Sequence, residues 1–296
     1  MIRNTTLFRM LMVLALGTMI ACGGKKTETV DESEEFDSAK EELKQSIEEV
    51  VYNIPSPAEL PYLLEATGAD FNGSFVNSLE SLSKYKSTFD KAALNLGVYA
   101  GDIGYLSSYS QTQEALDYLQ AAKELADYLG VVEAMDQAVL ERFEENIDER
   151  DSLYVIINNA VDNVDEYLLT EQRNKVAALV TTGSFVEGLY VSTELVRTYP
   201  KDLLPDDTRN LILTPVIQLI FKQESSLNEL IRLVNSVEPD ALMTEIKTGL
   251  EELKSNYEAI NMEEQIKNNR ADLMLTDQSL VTITETVNKI RTNIIQ

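Results

Sequence analysis

Histidine and tryptophan are absent from the sequence, and cysteine occurs once, as Cys22. Without histidine, the chain cannot build a Ser-His-Asp triad, a Cys-His pair, an HExxH zinc site or a Glu-x-x-His di-iron site. A single cysteine forms no disulfide within the chain. Acid–base chemistry is therefore left to carboxylate, lysine and tyrosine side chains.

Basic residues are scarce. The chain has 25 lysines and arginines against 50 aspartates and glutamates, which gives a net charge of −25. Nucleic acids and anionic membrane surfaces are bound by basic patches. We therefore expect no nucleic-acid partner for the folded body.

Proline is unevenly distributed. All 7 prolines lie within residues 55–61 or 200–239, so the interval 62–199 contains none. Because proline interrupts the interior of a helix, this interval is open to long helices.

The first 21 residues have the features of a signal peptide. They contain Arg3 and Arg9 but no acidic residue, and an apolar run follows over residues 10–21. A membrane-spanning helix needs about 20 apolar residues, so this run is too short to remain as an anchor. We therefore predict a cleaved signal peptide over residues 1–21.

The apolar run ends in Met19-Ile20-Ala21-Cys22, which resembles the lipobox of bacterial lipoproteins. The resemblance implies that Cys22 receives a diacylglycerol, becomes the mature N-terminus and attaches the chain to a membrane. Two acyl chains are enough for stable anchoring, whereas one is marginal. An ordinary signal peptide with an incidental cysteine, or a buried free thiol, is the alternative.

Residues 22–37 are poor in apolar side chains and become strongly acidic from Asp31. Such a segment cannot bury enough surface to fold, so we predict a flexible acidic tether. Gly23, at the second mature position, resembles lipoproteins that are sent to the outer membrane. The acidic run is similar to the surface-export signals of Bacteroidota lipoproteins, but there the acids lie closer to the cysteine. Periplasmic and surface exposure therefore both stay open.

The body, residues 38–296, is predicted to be one all-α domain. Apolar residues recur every three or four positions, which indicates a multi-helix bundle or a helical-repeat-like body of about eight to ten helices. Ser110 and Gln113 fit a capping box, and Pro239 fits a first helical position. Residues 53–72 resemble the opening segment of uncharacterised helical lipoproteins from Bacteroidota, a resemblance that implies no activity. The last helix places these apolar residues on one face: Leu280, Ile283, Val287, Ile290 and Ile294.

Two segments of the body resemble each other at an offset of 85 residues. Residues 89–108 align with residues 174–193, and weaker matches extend the pair to 76–108 and 161–193. We predict an internal duplication that gives two related helical units. Chance similarity between two alanine-rich helices is the alternative.

Both segments carry closely spaced glycines, which cost about 1 kcal/mol each in a helix and so indicate close helix packing. Each segment also places an acid three residues before a tyrosine, as Asp102 and Tyr105 and as Glu187 and Tyr190. On a helix, residues at this spacing lie on one face. We predict these four residues as a candidate ligand-binding site in which the acids share one concave pocket. In the alternative, the acids point to solvent and the tyrosines pack in the core.

The acidic clusters at residues 31–37, 141–151 and 202–207 lack the EF-hand pattern and are explained by solvated surfaces. We therefore predict no metal, no cofactor and no catalytic residue.

Three functions stay open. The first is a lipid-anchored envelope protein whose body binds another protein without catalysis. The second binds a small ligand or a divalent cation in a pocket between the two glycine-rich helices, and the third is a hydrolase that uses carboxylates or tyrosines.

Overall fold

The computed structural model describes residues 65, 68–131, 142, 146, 155, 156, 159, 174–200, 205–259 and 278–296. These residues belong to one compact unit, Lys40–Gln296. Several predictions lie outside the described residues: the signal peptide, the tether, the start of the body at residue 38, and residues 161–173 of the second similar segment.

The described residues form helices and no strand, which confirms the all-α class predicted from the apolar periodicity. A short 3-10 turn, Leu79–Ser81, precedes the helix Leu82–Tyr85. The α-helices of the described ranges are α1 (Leu82–Tyr85), α2 (Phe89–Ser108), α3 (Thr112–Leu129), α4 (Asn174–Thr198), α5 (Asp206–Lys222), α6 (Glu224–Asn235), α7 (Ala241–Glu258) and α8 (Gln278–Ile295).

The pair α2 and α4 forms the centre of the fold. Helix α3 packs on α2, α8 packs on both α4 and α7, and α6 packs on α7. The apolar faces of these helices meet in one core. On α8, the residues predicted to share the apolar face are all buried: Leu280, Ile283, Val287, Ile290 and Ile294.

Within the described ranges, no helix combines the length and the apolar character that a membrane crossing requires.

Helices α2 and α4 run parallel and in register. Near their first turns, Lys175 Nζ lies 2.7 Å from Asp90 Oδ2, and further along Gly101 packs against Glu187. The helices point the same way, because the contacts advance along both of them together. Asp90 and Lys175 are 85 residues apart, which is the offset of the internal similarity. Equivalent positions of the two similar segments therefore face each other.

Glycine lets the backbones of α2 and α4 touch. A Cβ atom added to Gly97 would lie 2.0 Å from the carbonyl oxygen of Val180, and one added to Gly183 would lie 2.0 Å from the carbonyl oxygen of Leu94. Any larger residue would force the helices apart. Close packing thus accounts for these glycines, and it leaves no room for a ligand between the helices at this level.

Two local boundary predictions are wrong. Helix α3 begins at Thr112, and Ser110 has a left-handed backbone with a φ of 56°, so Ser110 does not cap the helix. Helix α7 is capped by Asp240, whose Oδ1 accepts a hydrogen bond from the Met243 N–H at 2.8 Å. Pro239 precedes this cap and is not the first helical residue.

Candidate functional site

Asp102 on α2 and Glu187 on α4 lie side by side in the core. Both residues are 0% exposed to solvent, and the charge of Glu187 acts directly on the Asp102 carboxyl. Gly101 makes room for Glu187, because a Cβ atom at Gly101 would lie 3.0 Å from the Cβ of Glu187. The alternative in which the acids point to solvent is therefore excluded.

Arg291 on α8 supplies a positive charge to this pair. Its Nε donates to Glu187 Oε2 at 2.6 Å, and its Nη2 donates to Glu187 Oε1 at 2.8 Å. Two parallel bonds of this kind make a strong carboxylate–guanidinium contact. The guanidinium also lies 4.0 Å from the centre of the Tyr190 ring, where a cation–π interaction stabilises it further.

Asp102 has a different environment. Its Oδ2 accepts a hydrogen bond from the Asn77 N–H at 3.2 Å, whereas its Oδ1 is buried and meets no donor among the described residues. Burial raises the pKa of the Asp102 carboxyl well above its ordinary range; the charge of Glu187 adds to the rise, and Arg291 opposes it. A protonated Asp102 carboxyl can act as a hydrogen-bond donor, whereas an ionised one can only accept, so a proton would let it donate to the neighbouring Glu187 carboxylate. The geometry thus fits one neutral acid, one carboxylate and one guanidinium, which we call the acid cluster.

Residues 69–78 form a non-helical segment, here called the strap, that lies against the acid cluster. The backbone oxygen of Phe75 accepts a hydrogen bond from Arg291 Nη2 at 2.9 Å. The N–H of Asn77 donates to Asp102. The strap therefore contacts both the guanidinium and the neutral acid through its main chain.

Asn77 fixes the end of the strap through its side chain as well as its backbone. Its backbone oxygen accepts a hydrogen bond from the Tyr118 hydroxyl at 2.7 Å, and its Oδ1 accepts one from the Tyr85 hydroxyl at 2.9 Å. Its Nδ2 donates to Asn95 Oδ1 at 3.4 Å. Because Asn77 is 5% exposed, these bonds lie away from water and hold the segment in one arrangement.

The two predicted tyrosines have different contacts. The buried hydroxyl of Tyr105 accepts a hydrogen bond from the Asn72 N–H at 2.8 Å and donates to the Asn72 oxygen at 3.3 Å. Burial raises the pKa of Tyr105 to about 12. The ring of Phe75 lies between the tyrosines, with its centre 6.2 Å from Tyr105 and 6.3 Å from Tyr190. The structure thus brings Tyr190 into contact with the acid cluster through Arg291, whereas Tyr105 holds the strap.

A further acid on α4, Glu194, is also buried but lies nearer the surface. Its Oε1 accepts a hydrogen bond from Asn288 Nδ2 at 3.0 Å, and its Oε2 accepts one from Arg197 Nε at 3.0 Å. The Arg197 side chain is 60% exposed. Glu194 is thus a buried acid whose cation borders solvent, in contrast to Glu187.

Arg291, Phe75 and Asn77 were not found from the sequence. Arg291 carried a usable signal, because it lies four residues after Val287 and three before Ile294 on the buried face of α8. A basic residue on an apolar stripe indicates a buried acid as partner. Phe75 and Asn77 lie in a segment without helical periodicity, where no spacing singles them out.

The acid cluster joins α2, α4, α8 and the strap, and its geometry fits one shared proton beside one ion pair. Since both acids are sealed, they make no contact with a substrate or a cation in solution in this arrangement. Over the described ranges, no group of three or more potential metal-ligating side chains occurs. The chemistry of the cluster is that of a satisfied polar core that fixes the elements around it.

A groove of about 390 Å³ lies between α7 and α8, and none of its lining residues belongs to the acid cluster. On its rim, Lys289 Nζ lies 2.8 Å from Glu252 Oε2. Thr248 is an exposed residue beside it. The floor of the groove is formed by Leu94, Ile246, Ile290 and Ile294.

No protein-family model matches the chain, and neither a curated protein nor a solved structure shows significant similarity to it. Its class is therefore defined by its architecture, an all-α multi-helix body built around a parallel pair of similar helices.

Proposed function

We propose that this chain is a lipid-anchored protein of the bacterial cell envelope, in the outer membrane, whose helical body binds another protein and catalyses no reaction. The anchor is supported by the leader over residues 1–21, by Cys22 at its end and by the acidic tether over residues 22–37. The net charge of −25 favours a protein partner over a nucleic acid.

The observation that carries the binding proposal is the groove between α7 and α8. An apolar floor with a polar rim is the shape that receives the apolar face of a partner helix. Asp102 and Glu187 are both 0% exposed, so neither carboxyl reaches a substrate in solution in this arrangement.

Lipid attachment is tested with Cys22→Ser. Cells that grow with labelled palmitate should incorporate label into the wild-type chain and none into the variant, because no other cysteine can accept the diacylglycerol. Ser33→Ala, in the tether, is the matched control and should keep the label. A mature N-terminus other than a lipid-bearing Cys22, read by mass spectrometry, would contradict the anchor. Protease digestion of intact cells then distinguishes surface from periplasmic exposure.

Partner binding is tested with a photo-crosslinking amino acid at Thr248, an exposed position on the groove. The matched control carries the same probe at Gln120, an exposed position on α3. In intact cells we expect one discrete protein adduct from Thr248 and none from Gln120. Equal adducts from both positions, or none from Thr248, would contradict binding at the groove.

A further inference from the structure

The acid cluster contains two acidic side chains, Asp102 and Glu187, and one cationic side chain, Arg291. Among the described residues, the titratable groups that interact with the charge of Asp102 are Glu187 and Tyr190 from α4, Arg291 from α8, Tyr118 from α3 and Tyr99 from its own helix. Among these groups Arg291 is the cation, and it is already paired with Glu187. Ionisation of Asp102 would therefore leave an uncompensated negative charge in a sealed core, which is costly. The closed arrangement is thus linked to one proton.

The strap is the part of this enclosure that has the least structure of its own. Helices α2, α4 and α8 keep their internal backbone hydrogen bonds if the cluster opens, whereas the strap is non-helical. Its Phe75 oxygen accepts a hydrogen bond from Arg291, its Asn77 oxygen accepts one from the Tyr118 hydroxyl, and its Asn77 N–H donates to Asp102. Segments with few hydrogen bonds of their own open at the lowest free energy. Water can therefore reach the acids most easily where the strap lies.

We propose that residues 69–78 form a proton-controlled strap, which stays docked while Asp102 and Glu187 share one proton and undocks when the pair loses it. Undocking lets water hydrate the second carboxylate. It also uncovers the rings of Phe71 and Phe75, which pack on buried tyrosines in the docked arrangement. This device does not depend on the lipid anchor or on the partner proposed above.

Hydrogen exchange of the full chain, read by mass spectrometry between about pH 5 and 9, tests the strap. An opening that releases one proton becomes about tenfold more favourable for each pH unit. After correction for intrinsic exchange rates, residues 69–78 should therefore exchange faster as the pH rises in the wild-type chain, by up to about tenfold per pH unit until the closed arrangement itself loses the proton. In Asp102→Asn, whose amide replaces the protonated carboxyl, the corrected rate should stay flat.

Equal slopes in the wild-type chain and in Asp102→Asn would overturn the proposal. A parallel rise over the whole chain would overturn it too, because this result would mean global unfolding and no separate motion of the strap.

A second pair of variants tests whether the proton is shared. In Glu187→Gln, an ionised Asp102 becomes the counter-charge of Arg291, so the corrected rate should again stay flat. Glu194→Gln removes another buried acid from the same helix and should keep the wild-type slope. If the exchange rate of the strap still rises steeply with pH in Glu187→Gln, burial alone holds the proton and the proposal is overturned. If the rate becomes independent of pH in Glu194→Gln, the response belongs to another acid and the proposal is overturned as well. Circular dichroism checks that each variant is folded. If Glu187→Gln does not fold, the comparison of the wild-type chain with Asp102→Asn tests the proposal.

Discussion

Glu187 and Arg291 form an ion pair with bonds of 2.6 and 2.8 Å, and their side chains are 0% and 10% exposed. At such a depth neither charge can be hydrated when its partner is removed. Loss of one member of a buried pair is therefore more damaging than replacement of both, because the remaining charge is left uncompensated. This asymmetry separates the Glu187–Arg291 pair from the ion pairs at the surface.

Arg291→Met should lower the free energy of unfolding by about 3–5 kcal/mol, as measured by urea denaturation. Adding Glu187→Gln to this variant should restore part of the loss, because it removes the orphaned charge. Lys289→Met is the matched control, since Lys289 and Glu252 are 62% and 45% exposed, and it should cost less than about 1 kcal/mol. Similar losses for Arg291→Met and Lys289→Met would contradict a dominant role of the buried pair.

Asp102→Asn should stabilise the fold increasingly as the pH rises. The pKa of Asp102 is raised in the folded chain, so the folded state holds this proton more tightly than the unfolded state. The resulting stability is fully present below the ordinary carboxyl pKa of about 3.9 and is lost as the pH rises through the raised pKa. Within that window, the advantage of the variant should grow by up to about 1.4 kcal/mol per pH unit. Urea unfolding at several pH values measures it, and a pH-independent difference would contradict the buried proton.

Gly97→Ala and Gly183→Ala should each destabilise the fold, because the new Cβ atom would lie 2.0 Å from a carbonyl oxygen of the neighbouring helix. Alanine is the better helix former by about 1 kcal/mol, but overpacking of about 1–3 kcal/mol or more outweighs this gain. Gly73→Ala is the control, since its Cβ would meet only ordinary contacts of 3.6 Å and beyond. Thermal unfolding should rank both helix variants below the control, and equal midpoints would contradict the close approach of α2 and α4.

Tyr118→Phe should cost about 1–3 kcal/mol, because it removes the hydroxyl that donates to the backbone oxygen of Asn77 at 2.7 Å in the core. Tyr128→Phe, at a position 37% exposed, should stay within about 0.5 kcal/mol of the wild-type chain. Chemical denaturation measures both. If the two variants unfold at the same urea concentration, the bond to Asn77 does not hold the strap.

The helical class was accessible from the sequence because each apolar stripe reports a buried face, as Ile283 and Val287 do on α8. Helix boundaries were harder to predict, because several neighbouring residues can each serve as the cap of the same helix. The spacing of Ser110 and Gln113 matches a capping box, but the chain turns through a left-handed residue at Ser110 before α3 begins. Asp240 caps α7 through its side chain, and Pro239 lies two positions before the first helical residue, Ala241.

The meeting of Asp102 and Glu187 followed from the similarity of their two segments, since similar helices that pack in register bring equivalent residues together. The burial of both acids did not follow, because it depends on a cation from a third helix and on a non-helical segment. Neither Arg291 nor Asn77 belongs to the similar segments. Residues that meet only in the folded chain, far apart in sequence, share no regular spacing from which their contact could be predicted.

Two similar helices in register have the geometry of a dimer whose twofold axis runs along the pair. Such symmetry places each residue opposite its own counterpart, so a charge near the axis meets its like. At the first turn the counterparts, Asp90 and Lys175, have opposite signs and attract each other. Further along, the counterparts Asp102 and Glu187 are both acids; a guanidinium from outside the pair compensates Glu187, and burial favours the neutral form of Asp102. Arg291 compensates only one of these two equivalent acids. The near-symmetry of α2 and α4 is therefore broken at the acid cluster.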